Sequence, residues 1–381
     1  MKARINYALA ERRRRRTPDP TGELLRLQTL YGYNPHSLVS IAPGAQLWST
    51  PDIDGAIIYG QFGTVYLAAG DPLAPRDELA ELARRFAAFA KKKGRVVAFV
   101  PASTEFARLA AMNHFTAVKV GACPYFDLKS WNPRGDSAKK LRAGINQARR
   151  AGVKVEIVAR VDDTLMEETA KLCLRWLDTR RAGTTFGWLV ALDPFGHSDY
   201  KRYFAARVDG QLVGFLAASP MPARKAWYLE DVLRLPDAPP GTATLLVYEA
   251  LMALKAEGVA LATLGTAPLA TEGTDEIASG EHPMVERTFR LASRNLEDVY
   301  NFAGLRRFKG KFVPSWWESE YILSQRGVTI PPRVGHAIVR ALVPVGLTQL
   351  LTRQALRITR ENVTKSLMSS SKVVNRTQRR N

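Results

Sequence analysis

From about residue 54 to residue 325, short β-rich runs alternate with amphipathic helical runs. That alternation restricts the chain to an α/β or mixed α+β architecture, a sheet covered by helices. The runs IIYG (57–60) and TVYLAA (64–69) predict two strands around Gly63. A helix is predicted from about Arg76 to Lys93: Leu79, Leu82, Phe86 and Phe89 recur at spacings of three and four, Asp77 and Glu78 open it, and Lys91 to Lys93 with Gly94 close it. Further along, VVAFV (96–100) reads as a strand, 103–112 as a helix, 117–126 as one or two strands, 137–151 as a basic helix and 153–158 as a strand.

The second half repeats this order. A helix over 163–178 precedes FAARVDGQLVGFLAAS (204–219), where Asp209-Gly210 between alternating apolar residues is a strong hairpin signal. A strand over 228–232, a helix over 241–257 and a strand over 261–264 ending at Gly265 complete it. The order of elements divides the chain into a basic N-terminal extension (1–50), a first unit (51–160), a second unit (161–330) and a basic amphipathic tail (331–381).

Charge is concentrated at the ends. Residues 1–16 carry +6 and residues 331–381 carry +9 of a formal net charge of +19, leaving +4 for everything between. Basic ends on a nearly balanced body suit a polyanion, either nucleic acid or an anionic membrane, or are simply solvated arms. Between Val334 and Ile358, Ile338, Val339, Leu342, Val343, Leu350 and Leu351 mix with Arg340, Arg353 and Arg357, interrupted by Pro344 and Gly346. This suits short amphipathic helices on anionic lipid. The alternative is a helical hairpin packed on the body. No stretch reaches the ~18 uninterrupted apolar residues of a spanning helix, and no secretory signal follows Arg12 to Arg16.

Two cysteines, Cys123 and Cys173, exclude a disulfide framework and point to a reducing compartment. The five histidines, His36, His114, His197, His282 and His336, show no metal-ligand spacing, and no phosphate-binding loop, dinucleotide fingerprint or nucleophile elbow is present.

Four stretches resemble the cytosolic catalytic domain of the phosphatidylglycerol lysyltransferases, the aminoacyl-phosphatidylglycerol synthases that include the multiple peptide resistance factor. They are YLAAGDPLAPRDEL (66–79), KKLRAGINQARRAGVKVEI (139–157), YLEDVLRLPDAPPGTATLLVYEALMALKAEGVALATLGTAPLA (228–270) and VYNFAGLRRFKGKFVPSWWESEYI (299–322). The resemblance implies two tandem acetyltransferase-type (GNAT-type) domains, the second catalytic. Their donor is aminoacyl-tRNA rather than acyl-CoA, their acceptor is the hydroxyl of a lipid such as phosphatidylglycerol, and no cofactor is needed. It implies a cytoplasmic protein resting peripherally on the inner face of the cell membrane, the tail replacing the relatives' membrane portion as a contact.

An aminoacyl ester is already activated, so its transfer needs alignment, proton handling and charge stabilisation rather than metal or nucleotide hydrolysis. Asp231 and Arg234 match the family's Asp-x-x-Arg at a strand end. Asp231 is the candidate for holding the α-ammonium or moving the hydroxyl proton, and Arg234 for binding phosphate with its planar fork. The alternative for the two is an exposed ion pair. Glu230 is the neighbouring candidate, pointing to the other face of the strand.

Lys309 and Lys311, with Arg306 and Arg307, lie among Phe302, Phe308, Phe312, Trp316 and Trp317. That pattern suits a single-stranded RNA end, although the three phenylalanines read better as core. Arg142, Asn146 and Arg149 share one helix face with the character of an RNA-backbone stripe or a solvated basic face. Gly265 is expected to shape a loop near the pocket. One departure is RRAGTTFGW (180–188): Arg180 and Arg181 stand where the family usually has an acidic residue, so the amino acid moved is left unassigned. Transfer to another lipid, a sterol-like alcohol or a peptide, acyl-CoA chemistry, and a non-enzymatic tether of RNA to membranes remain the competing readings.

Overall fold

The computed structural model describes residues 20–42, 45–178, 192–273, 301–325 and 331–342. A meander of β1 (Gln46–Thr50), β2 (Ile53–Phe62) and β3 (Val65–Ala69) leads through α2 (Leu79–Lys92) to β4 (Val96–Ser103), which returns parallel to β3. Its preceding helix, α1, spans Pro20–Tyr31. The second half repeats the plan. After α3 (Thr104–Met112), β5 (Phe115–Asp127) and α4 (Lys139–Arg150), an antiparallel meander of β6 (Lys154–Val158), β7 (Arg202–Val208), β8 (Gln211–Met221) and β9 (Ala226–Arg234) forms, with α5 (Asp163–Asp178) between β6 and β7. Helix α6 (Thr242–Ala256) then carries the chain to β10 (Leu261–Thr263), parallel to β9. Each half is thus meander, helix, parallel strand, the acetyltransferase-type unit expected twice.

One sheet joins the halves in the order β1-β2-β3-β4-β12-β5-β10-β9-β8-β7-β6, and the short β11 (Ala267–Pro268) pairs with β5. After α7 (Phe302–Gly310), β12 (Trp316–Gln325) inserts between β4 and β5, antiparallel to both. Order along the chain assigns these residues to the second unit; in space they complete the first unit's sheet.

Local chemistry accounts for the elements. Helix α2 buries Leu79, Leu82 and Phe86 against Tyr59, Tyr66 and Phe99, with Lys91 and Lys92 in its last turn. Ser103 caps α3, its Oγ accepting from Phe106 N at 3.2 Å. The β7–β8 hairpin turns on Asp209 and Gly210, both with positive φ (48° and 80°), as a primed turn requires.

Helices α2, α3, α4 and α6 cover one face of the sheet, called here the back. The front is covered by α1, α5 and α8 (Pro332–Leu342).

Two expectations change. Residues 20–42 are not an appended arm: Leu24, Leu27, Leu38 and Ile41 are buried against Ala56, Ile58 and Leu73. Nor is the start of the tail free for lipid. Val334, Ala337, Ile338 and Ala341 of α8 are buried on Val65, Leu67, Val118 and Ile322, because their helical spacing matches an apolar sheet face already present. Residues 343–358 of the expected lipid-lying segment fall outside the described residues, as do Arg180 and Arg181.

Candidate functional site

Strands β9 and β10 pair over only three residues, Ala226 to Tyr228 with Leu261 to Thr263, and β9 runs on to Arg234 paired with β8 alone. Past Thr263 the chain turns away at Gly265 (φ 71°) and rejoins β5 as β11. Gly265 has no room for a side chain: a Cβ there would lie 2.4 Å from Cε2 of Tyr228. The diverging strands leave a gap between β9 and β10.

A β-bulge decides what faces it. Ala217 pairs with Asp231 and Ala218 with Leu229, leaving Glu230 as the extra residue. Glu230 therefore does not point to the face opposite Asp231, as strict alternation predicts. Its Oε2 accepts from Ser219 Oγ at 2.9 Å, and Ser219 shares the front face with Ala217 and hence with Asp231. Lys201, just before β7, closes the group with Nζ 2.5 Å from Glu230 Oε1, both side chains at most 5% exposed. Burial pushes both carboxyls above the usual range, Asp231 the further because Glu230 lies beside it, while Lys201 opposes the shift. Two carboxyls sharing one ammonium in a desolvated gap hold a proton that an isolated surface aspartate has lost.

The cluster continues along the front face. Tyr228 is half-buried beside Glu230 and Asp231; desolvation, and secondarily these two carboxyls, raise its phenol pKa. Its ring lies 5.9 Å from that of His36, which the segment after α1 brings in. Burial, and secondarily Lys309, push His36 down to about 4 and keep the ring neutral at physiological pH. Beyond it, Lys309 Nζ donates to the carbonyls of Gly265 (2.9 Å) and Thr266 (2.6 Å), and burial lowers it to about 8. Glu320 is the buried carboxyl on its other side, pushed up to about 7 by desolvation.

Asp231, Glu230, Gly265 and Lys309 are thus brought onto one face. Lys309 is there as a buried cap on a loop, not as an exposed phosphate contact. The other expected residues lie elsewhere. Arg234 is exposed at the end of β9, its Nη1 donating to Leu235 O and Pro236 O. Lys311 turns to the back, donating to Thr244 Oγ1 at 2.6 Å over the ring of Phe308, and burial lowers it to about 8. Arg306 pairs with Glu272 (Nε to Oε1, 2.6 Å). Arg142 and Asn146 are exposed on α4, where Arg142 donates to Gly135 O and Arg149 is engaged by Glu249. Phe312 is core.

Sequence reasoning missed Lys201, His36 and Glu320. Lys201 and His36 carry no local signal, since their partners lie far along the chain. Glu318 and Glu320 did offer one, two acids at i and i+2 in a strand that also holds Trp316, Trp317, Tyr321, Ile322 and Leu323. Among the described residues no group of three or more His, Cys, Asp or Glu is placed to hold a metal ion.

Glu320 supplies a test of this burial. Its folded-state pKa is raised, so its contribution to stability is full below the ordinary value of 4.5 and is lost as pH rises through about 7. Between pH 5 and pH 8, Glu320→Gln is expected to gain about 3 kcal/mol on the wild type in urea unfolding. Parallel stability curves for the two proteins over that range would show that Glu320 is not held protonated.

The family described as "Phosphatidylglycerol lysyltransferase, C-terminal" matches residues 28–324. The chain is 26% identical over 292 residues to the phosphatidylglycerol lysyltransferase of Bacillus subtilis, covering 75% of this chain and 33% of that protein. It is 22% identical over 299 residues to a lysylphosphatidylglycerol biosynthesis bifunctional protein of Nocardia farcinica, 77% of this chain and 26% of that one. It spans about a third of the length of such relatives or less. Among solved structures, L-PGS from Bacillus licheniformis superposes with a TM-score of 0.68 at 22% identity, over 81% of this chain and 92% of that one. The C-terminal domain of a putative lysylphosphatidylglycerol synthetase from Agrobacterium fabrum gives 0.67 at 22%, over 81% and 93%. At these identities the superpositions establish the shared fold.

Proposed function

Because this chain belongs to the family of phosphatidylglycerol lysyltransferase C-terminal domains, we propose that it moves an aminoacyl group from aminoacyl-tRNA to a hydroxyl of phosphatidylglycerol. The observation that carries the reading is the Glu230–Asp231 pair held by Lys201 where β9 parts from β10. The acceptor hydroxyl attacks the ester carbonyl, a carbon–oxygen bond forms, and the proton leaves the hydroxyl. The bond to the ribose oxygen then breaks and that oxygen regains a proton. Asp231 is the group assigned to that proton, and a carboxyl whose pKa is raised above the ordinary aspartate range by burial suits both directions of transfer. An arriving α-ammonium favours the ionised carboxylate and so readies it as a base.

Arg234, exposed at the end of β9, is assigned to a phosphate of lipid or RNA. Lys139, Lys140, Arg142 and Arg150 on the outer side of α4 are assigned to the RNA backbone, with Asn146 on the same helix. Lys309 and Gly265 shape the loop between β10 and β11, and Lys311 and Arg306 hold α7 in place.

The test incubates the protein with total labelled aminoacyl-tRNA and phosphatidylglycerol vesicles, with and without ribonuclease. Label is expected in the lipid phase only with intact RNA, and the labelled product identifies the amino acid. Labelling from acetyl-CoA, or RNA binding without transfer, would overturn the proposal. No described helix is long and apolar enough to cross a membrane. The excess of basic residues beyond α8 is the feature to which contact with anionic lipid is assigned. Removing residues 343–381 is expected to lower vesicle association most at low salt. Unchanged association would remove that assignment.

A further inference from the structure

The front face holds a second ordered feature, at the other end of β9. The guanidinium of Arg224 lies between two aromatic rings, 4.4 Å from the centroid of Tyr33 and 4.2 Å from that of Tyr125. Arg76 stacks on Tyr33 at 4.7 Å, and Trp316 stacks on Tyr125 at 5.6 Å with the ring planes 13° apart. Arg76, Tyr33, Arg224, Tyr125 and Trp316 therefore contribute to one stack drawn from five separate segments of chain. Arg224 fixes its centre, donating to Tyr125 Oη at 2.7 Å and to both oxygens of Glu318 at 3.2 and 2.6 Å.

The stack ends at the surface in an indole 41% exposed. The ring is held flat by its neighbours, and the charge beneath it is cancelled by the Arg224–Glu318 pair. Such a platform suits a neutral planar ring better than a phosphate. Its surroundings are polar: Ser315, Lys129 and Ser130 are exposed beside it, and register places Lys225 at the same end of the sheet, so cations for a nucleic-acid backbone are at hand. These neighbours do not form the apolar surround of a bilayer anchor.

We infer that Trp316 is the stacking platform for a base in the single-stranded 3′ end of an RNA donor. The inference rests on the reading of aminoacyl-tRNA as donor and adds the place where that donor is held. Stacking is tolerant of base identity, so the platform positions the end without reading sequence.

The test measures fluorescence anisotropy of a labelled, uncharged oligoribonucleotide ending in CCA. Trp316→Ala is expected to weaken binding roughly tenfold to a hundredfold, whereas Trp316→Phe stays within about threefold. The slope of affinity against salt stays unchanged, because no phosphate contact is removed. In the transfer assay Trp316→Ala raises KM for aminoacyl-tRNA and leaves kcat nearly as it was. Failure of the wild type to bind the oligonucleotide, or equal binding by Trp316→Ala, would overturn the platform. So would a variant that loses vesicle association alone, which would mark Trp316 as a lipid contact. If the wild type transfers label and Trp316→Ala keeps its KM, only the platform falls; a wild type that transfers nothing from charged tRNA removes the donor reading instead.

Discussion

Asp231→Asn is expected to reduce aminoacyl transfer by roughly 10²- to 10⁴-fold, the range spanned by loss of a positioned proton-transfer group. The amide keeps the shape of the side chain but neither takes up nor releases a proton at neutral pH. Stability is expected to hold or rise, because the substitution removes a desolvated carboxyl that Glu230 already disfavours ionising. Activity and thermal unfolding measured on the same preparation therefore move apart. If Asp231 served only in a strand-end ion pair, transfer would survive, and wild-type rates in the asparagine variant would remove Asp231 from the chemistry. Arg234→Ala, at the exposed end of the same strand, should act mainly on KM for the phosphate-bearing substrate.

The second large effect falls on stability. Lys201→Met is expected to destabilise the fold by about 3–5 kcal/mol, because it leaves Glu230 in a buried site without the ammonium that compensates it. The loss should shrink on acidification, since protonating the stranded carboxyls removes the uncompensated charge. Urea unfolding at pH 5 and pH 8 reads the difference. The double variant Lys201→Met/Glu230→Gln should recover most of the loss, as neutral replacements of a buried pair commonly do. A single variant as stable as the wild type at pH 8 would mean that water reaches Glu230 and that the pair is not buried in solution.

The positions of these residues show where reading the chain succeeded. The α2 helix, the Asp209-Gly210 hairpin and the strands flanking α6 follow from spacing and turn chemistry, which depend on neighbours a few residues away. The Asp-x-x-Arg at the end of β9 was legible as a pattern, and Asp231 does face the gap between β9 and β10. What lies around it was not legible. Lys201 meets Glu230 across 29 residues of chain, and His36 reaches Tyr228 across 192. Lys309 stands in a run of basic and aromatic residues that suits a single-stranded RNA end, but α7 turns it inward onto the Gly265 loop while Lys311, two residues on, points to the back.

Sequence alone therefore determined the repeated order of strands, helix and strand, the family, and an aspartate at the strand end, since periodicity and short motifs encode them locally. Tertiary structure alone decided three things: that β12 completes the first half of the sheet, that residues 20–42 and α8 belong to the body, and that a bulge sets Glu230 on the same face as Asp231. The physical reason is common to all three. Each depends on which strand or face a segment pairs with, and that choice is made by apolar surfaces and hydrogen-bond registers contributed from distant parts of the chain.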